Sequence, residues 1–158
     1  MSFRNSRWYP LSRALAATFV VGAFSAVASA DDCDVIKKAG GAQQTRPYRM
    51  LVNGREMMIH AEGVTYAHVG GAWRRMPGGP GDAALADSVT RFTDCKPVGE
   101  ETVSGVRATA YTFTLHVNGL PDKRAKIWIG SDGLAYRFDP GNGRPEEFDY
   151  KNVKVPVS

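Results

Sequence analysis

The feature that most restricts this chain is its punctuation. Asn53-Gly54, Gly70-Gly71, Asn118-Gly119 and Asp132-Gly133 each separate runs in which apolar and polar residues alternate. Two-residue turns of this chemistry accept positive φ and join antiparallel strands, while alternation with period two marks a half-buried strand. A chain punctuated this way reads as a mainly β, α+β protein built on an antiparallel sheet. Its clearest strand is Thr109 to Val117, where Tyr111, Phe113, Leu115 and Val117 alternate with Thr112, Thr114 and His116.

The turns also predict registers. With Asn53-Gly54 at the tip, Val52 opposes Arg55, Met50 opposes Met57 and Tyr48 opposes Ile59 on one face, leaving Leu51 and Met58 on the other. Val64 to Val69 runs from a turn at Glu62-Gly63 to Gly70-Gly71 and returns as Ala72-Trp73-Arg74-Arg75. Around Asp132-Gly133, Ile129 opposes Tyr136 and Ile127 opposes Phe138, while Trp128 and Arg137 meet on the opposite face at cation–π distance. Phe148-Asp149-Tyr150 with Val153 and Val155 supplies a last strand ending at Pro156. The expected total is about seven or eight strands.

Two short helices complete the set. Asp32 to Lys38 places Val35 and Ile36 inward and stops at Gly40-Gly41, and Asp82 caps a segment whose Leu85, Val89 and Phe92 form one stripe. Met76 to Gly81 between them reads as loop.

The first thirty residues belong to a different kind of segment. Arg4, Arg7 and Arg13 precede an apolar run from Ala14 to Val27, and Ala28-Ser29-Ala30 matches a signal-peptidase site. The expectation is a cleaved leader, 1–30, and one domain, 31–158, of about 128 residues, exported to the periplasm and without a transmembrane anchor. Of 20 Lys+Arg, three lie in that leader, leaving 17 against 16 Asp+Glu. That balance, with no long basic run, argues against nucleic acid as a partner. Cys33 and Cys95 are an even pair in an oxidising compartment, which predicts a disulfide. Asp31-Asp32 before Cys33 are unsuited to a lipid-attachment site.

Tests for chemistry point away from an enzyme. No G-x-S-x-G elbow is present, and Ser88, Ser104 and Ser131 read as surface or turn residues. Glu100-Glu101 and Glu146-Glu147 are adjacent pairs whose side chains diverge on a strand. His60, His68 and His116 could form a zinc site only by converging, and the register sends His60 and His68 to opposite faces, so no metal or other cofactor is expected. Met50, Met57 and Met58, by contrast, cluster on one hairpin that is apolar on both faces, and thioethers suit surfaces that accept variable apolar shapes.

Longer motifs carry a family likeness. A short N-terminal helix, a strand ending NGRE, VTYAHVGGAWRRMP, an alanine-rich segment, VGEETVSGVRATAYTF, then KIWIGSDGLAYRF and FDYKNVKVP together resemble the outer-membrane lipoprotein-sorting (LolA-like) superfamily of periplasmic proteins. The resemblance covers most of the chain after the leader and is sharpest at Trp128-Ile129, Gly133-Leu134, Arg137 and Tyr150-Asn152-Val153. It implies a curved antiparallel sheet, an unclosed half-barrel, with helices over an apolar concave face that holds acyl chains during passage across the periplasm. The short length and few helices depart from a full carrier.

The combined expectation is a non-catalytic periplasmic protein that binds a hydrophobic ligand, a lipid or a lipoprotein acyl chain. The expected lining is Tyr48, Met50, Met57, Ile59, Tyr66, Tyr111, Phe113, Ile127, Ile129, Tyr136 and Phe138, with Leu85, Val89 and Phe92 from the second helix. Arg74, Arg75 or Arg137 would meet a headgroup at the rim. The alternative is an envelope protein-interaction module with a filled core and no cavity.

Overall fold

The computed structural model describes residues 30–76 and 90–156. The expected leader and Leu85 and Val89 lie outside these residues. One helix, α1 (Ala30–Gln44), is followed by β1 (Tyr48–Val52), β2 (Arg55–Ala61), β3 (Val64–Val69), β4 (Ala72–Arg75), β5 (Thr90–Val103), β6 (Val106–Val117), β7 (Lys123–Gly130), β8 (Ala135–Asp139) and β9 (Glu146–Asp149).

The strands form one sheet in the order β4-β3-β2-β1-β9-β8-β7-β6-β5, with every described pairing antiparallel. Two meanders, β1 to β4 and β5 to β9, are therefore joined through β1 and β9. The sheet does not close: β4 and β5, consecutive in the chain, stand at opposite edges. This is the open architecture the resemblance implied, with nine strands where seven or eight were expected.

The predicted turns form, and Asn53 and Gly54 both take positive φ, 52° and 73°, which twists the hairpin in the sense of its strands. A further turn at Ser104-Gly105, with φ of 50° and 79°, joins β5 to β6, and β6 begins at Val106, three residues before the expected Thr109. The last strand is shorter than expected: β9 stops at Asp149, and residues 150–156 are not strand.

The helix corrects the expectation at both glycines. It runs through Gly40 and Gly41 to Gln44, where Thr45 and Arg46 donate back to the Ala42 and Gln43 carbonyls and Pro47, without an N–H, ends it. Each glycine costs about 1 kcal/mol against alanine. Burying Ile36 and Ala39 against the sheet offsets this, since one buried isoleucine contributes about 2 kcal/mol. A disulfide between Cys33 and Cys95, with Cα atoms 5.2 Å apart, fastens the helix to β5. In the chain-entropy model a loop of this length, 62 residues, adds about 4 kcal/mol.

The core beneath α1 contains Ile36, Ala39, Cys95, Phe113, Ala125, Ile127, Ile129, Ala135 and Phe148. A smaller cluster of Val103, Ala108, Ala110 and Trp128 lies on the helix-free face.

Candidate functional site

Two irregularities decide which side chains reach the helix-bearing face. Met50 pairs with Met58 while Leu51 pairs with Glu56, so Met57 is an extra residue in β2. A bulge of this kind puts two residues against one and reverses the alternation beyond it. Tyr48 consequently faces His60, not Ile59, with the two rings stacked at 5.5 Å. Ile59 is buried but shares the helix-free face with Arg49 and Tyr66, which removes Ile59 and Tyr66 from the expected lining. Met58, expected on the far face, stands with Met50.

The second irregularity lies in β8. Ile129 pairs with Ala135 rather than Tyr136, while Ile127–Phe138 and Trp128–Arg137 pair as predicted. Tyr136 packs against the Trp128 cluster, and its hydroxyl donates to Asp132 at 2.7 Å. Burial, followed by the Asp132 contact, pushes this hydroxyl up to about 12.

Tyr48, Met50, Tyr111, Phe113, Ile127, Ile129 and Phe138 do gather on the helix-bearing face. Phe92 joins them from β5 instead of from a helix, pairing with Leu115 across the ladder. Their rings touch one another: Phe92 meets Phe113 edge-on at 5.3 Å, Phe113 stacks on Phe138 at 6.3 Å, and Tyr48 meets Phe148 at 5.7 Å. α1 lies above this half of the face, its Ile36 and Ala39 buried in the same cluster.

A cleft of about 630 Å³ lies beside β1 and β2, within the size range of small-ligand sites. Met50, Val52 and Met57 form its apolar part; Arg55, Arg144, Glu146, Asn53 and Asn142 form the rest. Of the expected lining only Met50 and Met57 are here, and Met57 is 39% exposed. Val52 and Arg55 flank the first turn, so their proximity was readable, but Asn142 and Arg144 come from the β8–β9 connection and Glu146 opens the four-residue strand β9, and none of the three carries a periodic signal. Glu146 is half-buried, and that burial raises its carboxyl above the ordinary value.

The expected rim arginines stand elsewhere. Arg137 lies on the helix-free face, over the Trp128 ring at 5.4 Å and donating to Glu147 at 2.6 Å. Lys126 approaches the same ring at 4.3 Å and donates to Glu101 at 2.7 Å. The indole N–H of Trp128 faces that carboxylate without the geometry of a full hydrogen bond. Farther along, Arg49 bridges Glu56 and Asp149. Arg74 and Arg75 belong to the edge strand β4, opposite Ala67 and Tyr66.

The three imidazoles are separate. His60 contacts Thr65, His68 meets Trp73, and His116 lies between Thr93 and Asp122. No three metal-ligating side chains converge among the described residues, and no described helix is long and apolar enough to cross a membrane.

The fold class is thus an open antiparallel half-barrel with a helix tied to one face. No family model matches the chain, and no curated protein matches it in sequence. Among solved structures it is similar to the Mycobacterium tuberculosis lipoprotein LppX, 11% identical, covering 83% of this chain and 99% of that one with a TM-score of 0.47. LprF from Mycobacterium bovis is 11% identical, with 82% and 96% covered and a TM-score of 0.42. A chain of the Pseudomonas aeruginosa MucA/MucB complex is 14% identical, with 82% and 59% covered and a TM-score of 0.40.

Proposed function

We propose that this chain is a periplasmic, non-catalytic protein that binds an acyl chain or a similar hydrophobic ligand in the cleft beside β1 and β2. The observation that carries this reading is the apolar part of that cleft, where Met50, Val52 and Met57 line the wall beside the core cluster. Removing such surface from water is worth about 25 cal/mol per Å², or about 0.8 kcal/mol per methylene, so a long acyl chain supplies enough to offset the entropic cost of association. Flexible thioethers adapt to a chain of variable shape.

The test is native mass spectrometry of protein purified from the periplasm without detergent, followed by extraction and by titration with a fluorescent fatty acid. A stoichiometric acyl ligand, or saturable uptake when one is offered, supports the reading. Clean apo protein that takes up no acyl probe overturns it. A second reading, an envelope protein-interaction module, draws support from the rings that pack on one another beneath α1.

A further inference from the structure

The cleft has a polar row and an apolar row, set by register. Glu146 pairs with Val52, and Val52 pairs with Arg55, so a carboxylate and a guanidinium stand two strands apart with a valine between them. Two strand spacings amount to about 10 Å. One step along β1 and β9, Met50 pairs with Phe148, and Met57 projects beside them from the bulge. The charged row lies toward the Asn53-Gly54 turn, and Arg144 adds a second guanidinium from the β8–β9 connection.

These charges do not neutralise one another. Among the described residues Arg55, Arg144 and Glu146 make no ion pair, although Arg49, Arg107 and Arg137 do. Glu146 is left as a half-buried carboxylate whose only resolved influence is desolvation. A desolvated charge without a partner costs stability, and a ligand carrying the opposite charge removes that cost. Two arginines without an ion pair among the described residues suit one phosphate, which they engage through charge-assisted hydrogen bonds.

The geometry points to a phospholipid with a phosphoethanolamine headgroup as the ligand: the phosphate between Arg55 and Arg144, the ammonium on Glu146, and an acyl chain over Met50 and Met57. This rests on the acyl-binding reading and names its headgroup. The primary ammonium offers N–H donors to the carboxylate, which a choline headgroup lacks. A phosphate monoester or a fatty acid supplies the anion alone and leaves Glu146 unpaired.

The experiment compares binding of oleoyl lysophosphatidylethanolamine, lysophosphatidylcholine, lysophosphatidic acid and oleate to purified protein by calorimetry, below their micelle-forming concentrations. The ethanolamine lipid is expected to bind about tenfold more tightly than the other three, one charge-assisted contact's worth. Glu146→Gln should erase that preference while oleate binding persists, and Arg144→Gln should weaken all the anionic ligands. Equal affinity across headgroups in the wild-type protein overturns the headgroup assignment and leaves acyl binding standing. Failure of all four to bind overturns both.

Discussion

Met50 stands opposite Met58, and Met57, the residue a regular hairpin would have paired with it, is the one the bulge turns into the cleft. Met57→Asp should therefore weaken uptake of a fluorescent fatty acid by about tenfold, by placing a charge where an acyl chain would lie. Because the side chain is 39% exposed, the denaturation midpoint should barely move. Unchanged uptake by a folded variant would remove this hairpin from the site.

Beyond the backbone itself, the disulfide is the only covalent link between α1 and the sheet among the described residues, and Cys95 is buried. Replacing both cysteines with alanine should lower stability by about 4 kcal/mol in urea titrations. In the unreduced native protein an alkylating reagent should label neither position. Labelling of Cys33 or Cys95 would contradict the bond.

Gly40 offers the opposite kind of change. It is helical, and a Cβ built there meets nothing within 4 Å, so Gly40→Ala should stabilise by about 1 kcal/mol through reduced backbone entropy in the unfolded chain. Thermal melts of the variant and the parent, with the disulfide intact in both, measure the gain. A loss of stability would mean that the helix does not run through this position.

Two carboxyls on β9 titrate in opposite senses. Burial alone would raise Asp149, but the Lys151 backbone N–H and the Arg49 guanidinium hold it below its ordinary 3.8. Its contribution to stability is present above the unfolded value and is lost as pH falls through the depressed folded one. Glu146, raised above 4.5 by burial, contributes stability below 4.5 that is lost as pH rises through its folded value. Glu146→Gln should accordingly stabilise the ligand-free protein near neutral pH, with the gain vanishing in acid. Asp149→Asn should cost stability near neutral pH and progressively less below about pH 4. Urea midpoints from about pH 3 to about pH 7 test both signs.

The readable parts of this protein were those set by neighbours in the chain. Asn53-Gly54 and Asp132-Gly133 announce hairpins because positive φ is a local demand, and alternation in Tyr111 to Val117 follows from the two-residue period of a strand. The Cys33–Cys95 pairing followed from a count of two in a chain whose sequence reads as exported, since only one intramolecular bond is available to two cysteines.

The site was legible only in part. Met50 and Met57 were visible as a cluster on one hairpin, whereas Arg144 sits in a Gly-, Asn- and Pro-containing connection and Glu146 at the start of the short strand that follows it, where no pattern marks them. Their neighbour Val52 lies about ninety residues earlier, and only the β1–β9 pairing unites them.

Tertiary structure alone decided the faces. A single extra residue at Met57 or Tyr136 exchanges every subsequent side chain between the two sides of a strand, and whether that residue is accommodated depends on the strands paired on both flanks. It also carried α1 through Gly40 and Gly41, because local helix propensity is worth about 1 kcal/mol per glycine and burial of Ile36 and Ala39, reinforced by the disulfide, outweighs it. The sequence by itself determined an antiparallel, disulfide-tied β chain, since turn chemistry and strand period act within a few residues. Which side chains fill the core and which are left to line a cleft was decided by contacts between residues far apart in the chain, where a small local preference yields to the packing of the whole sheet.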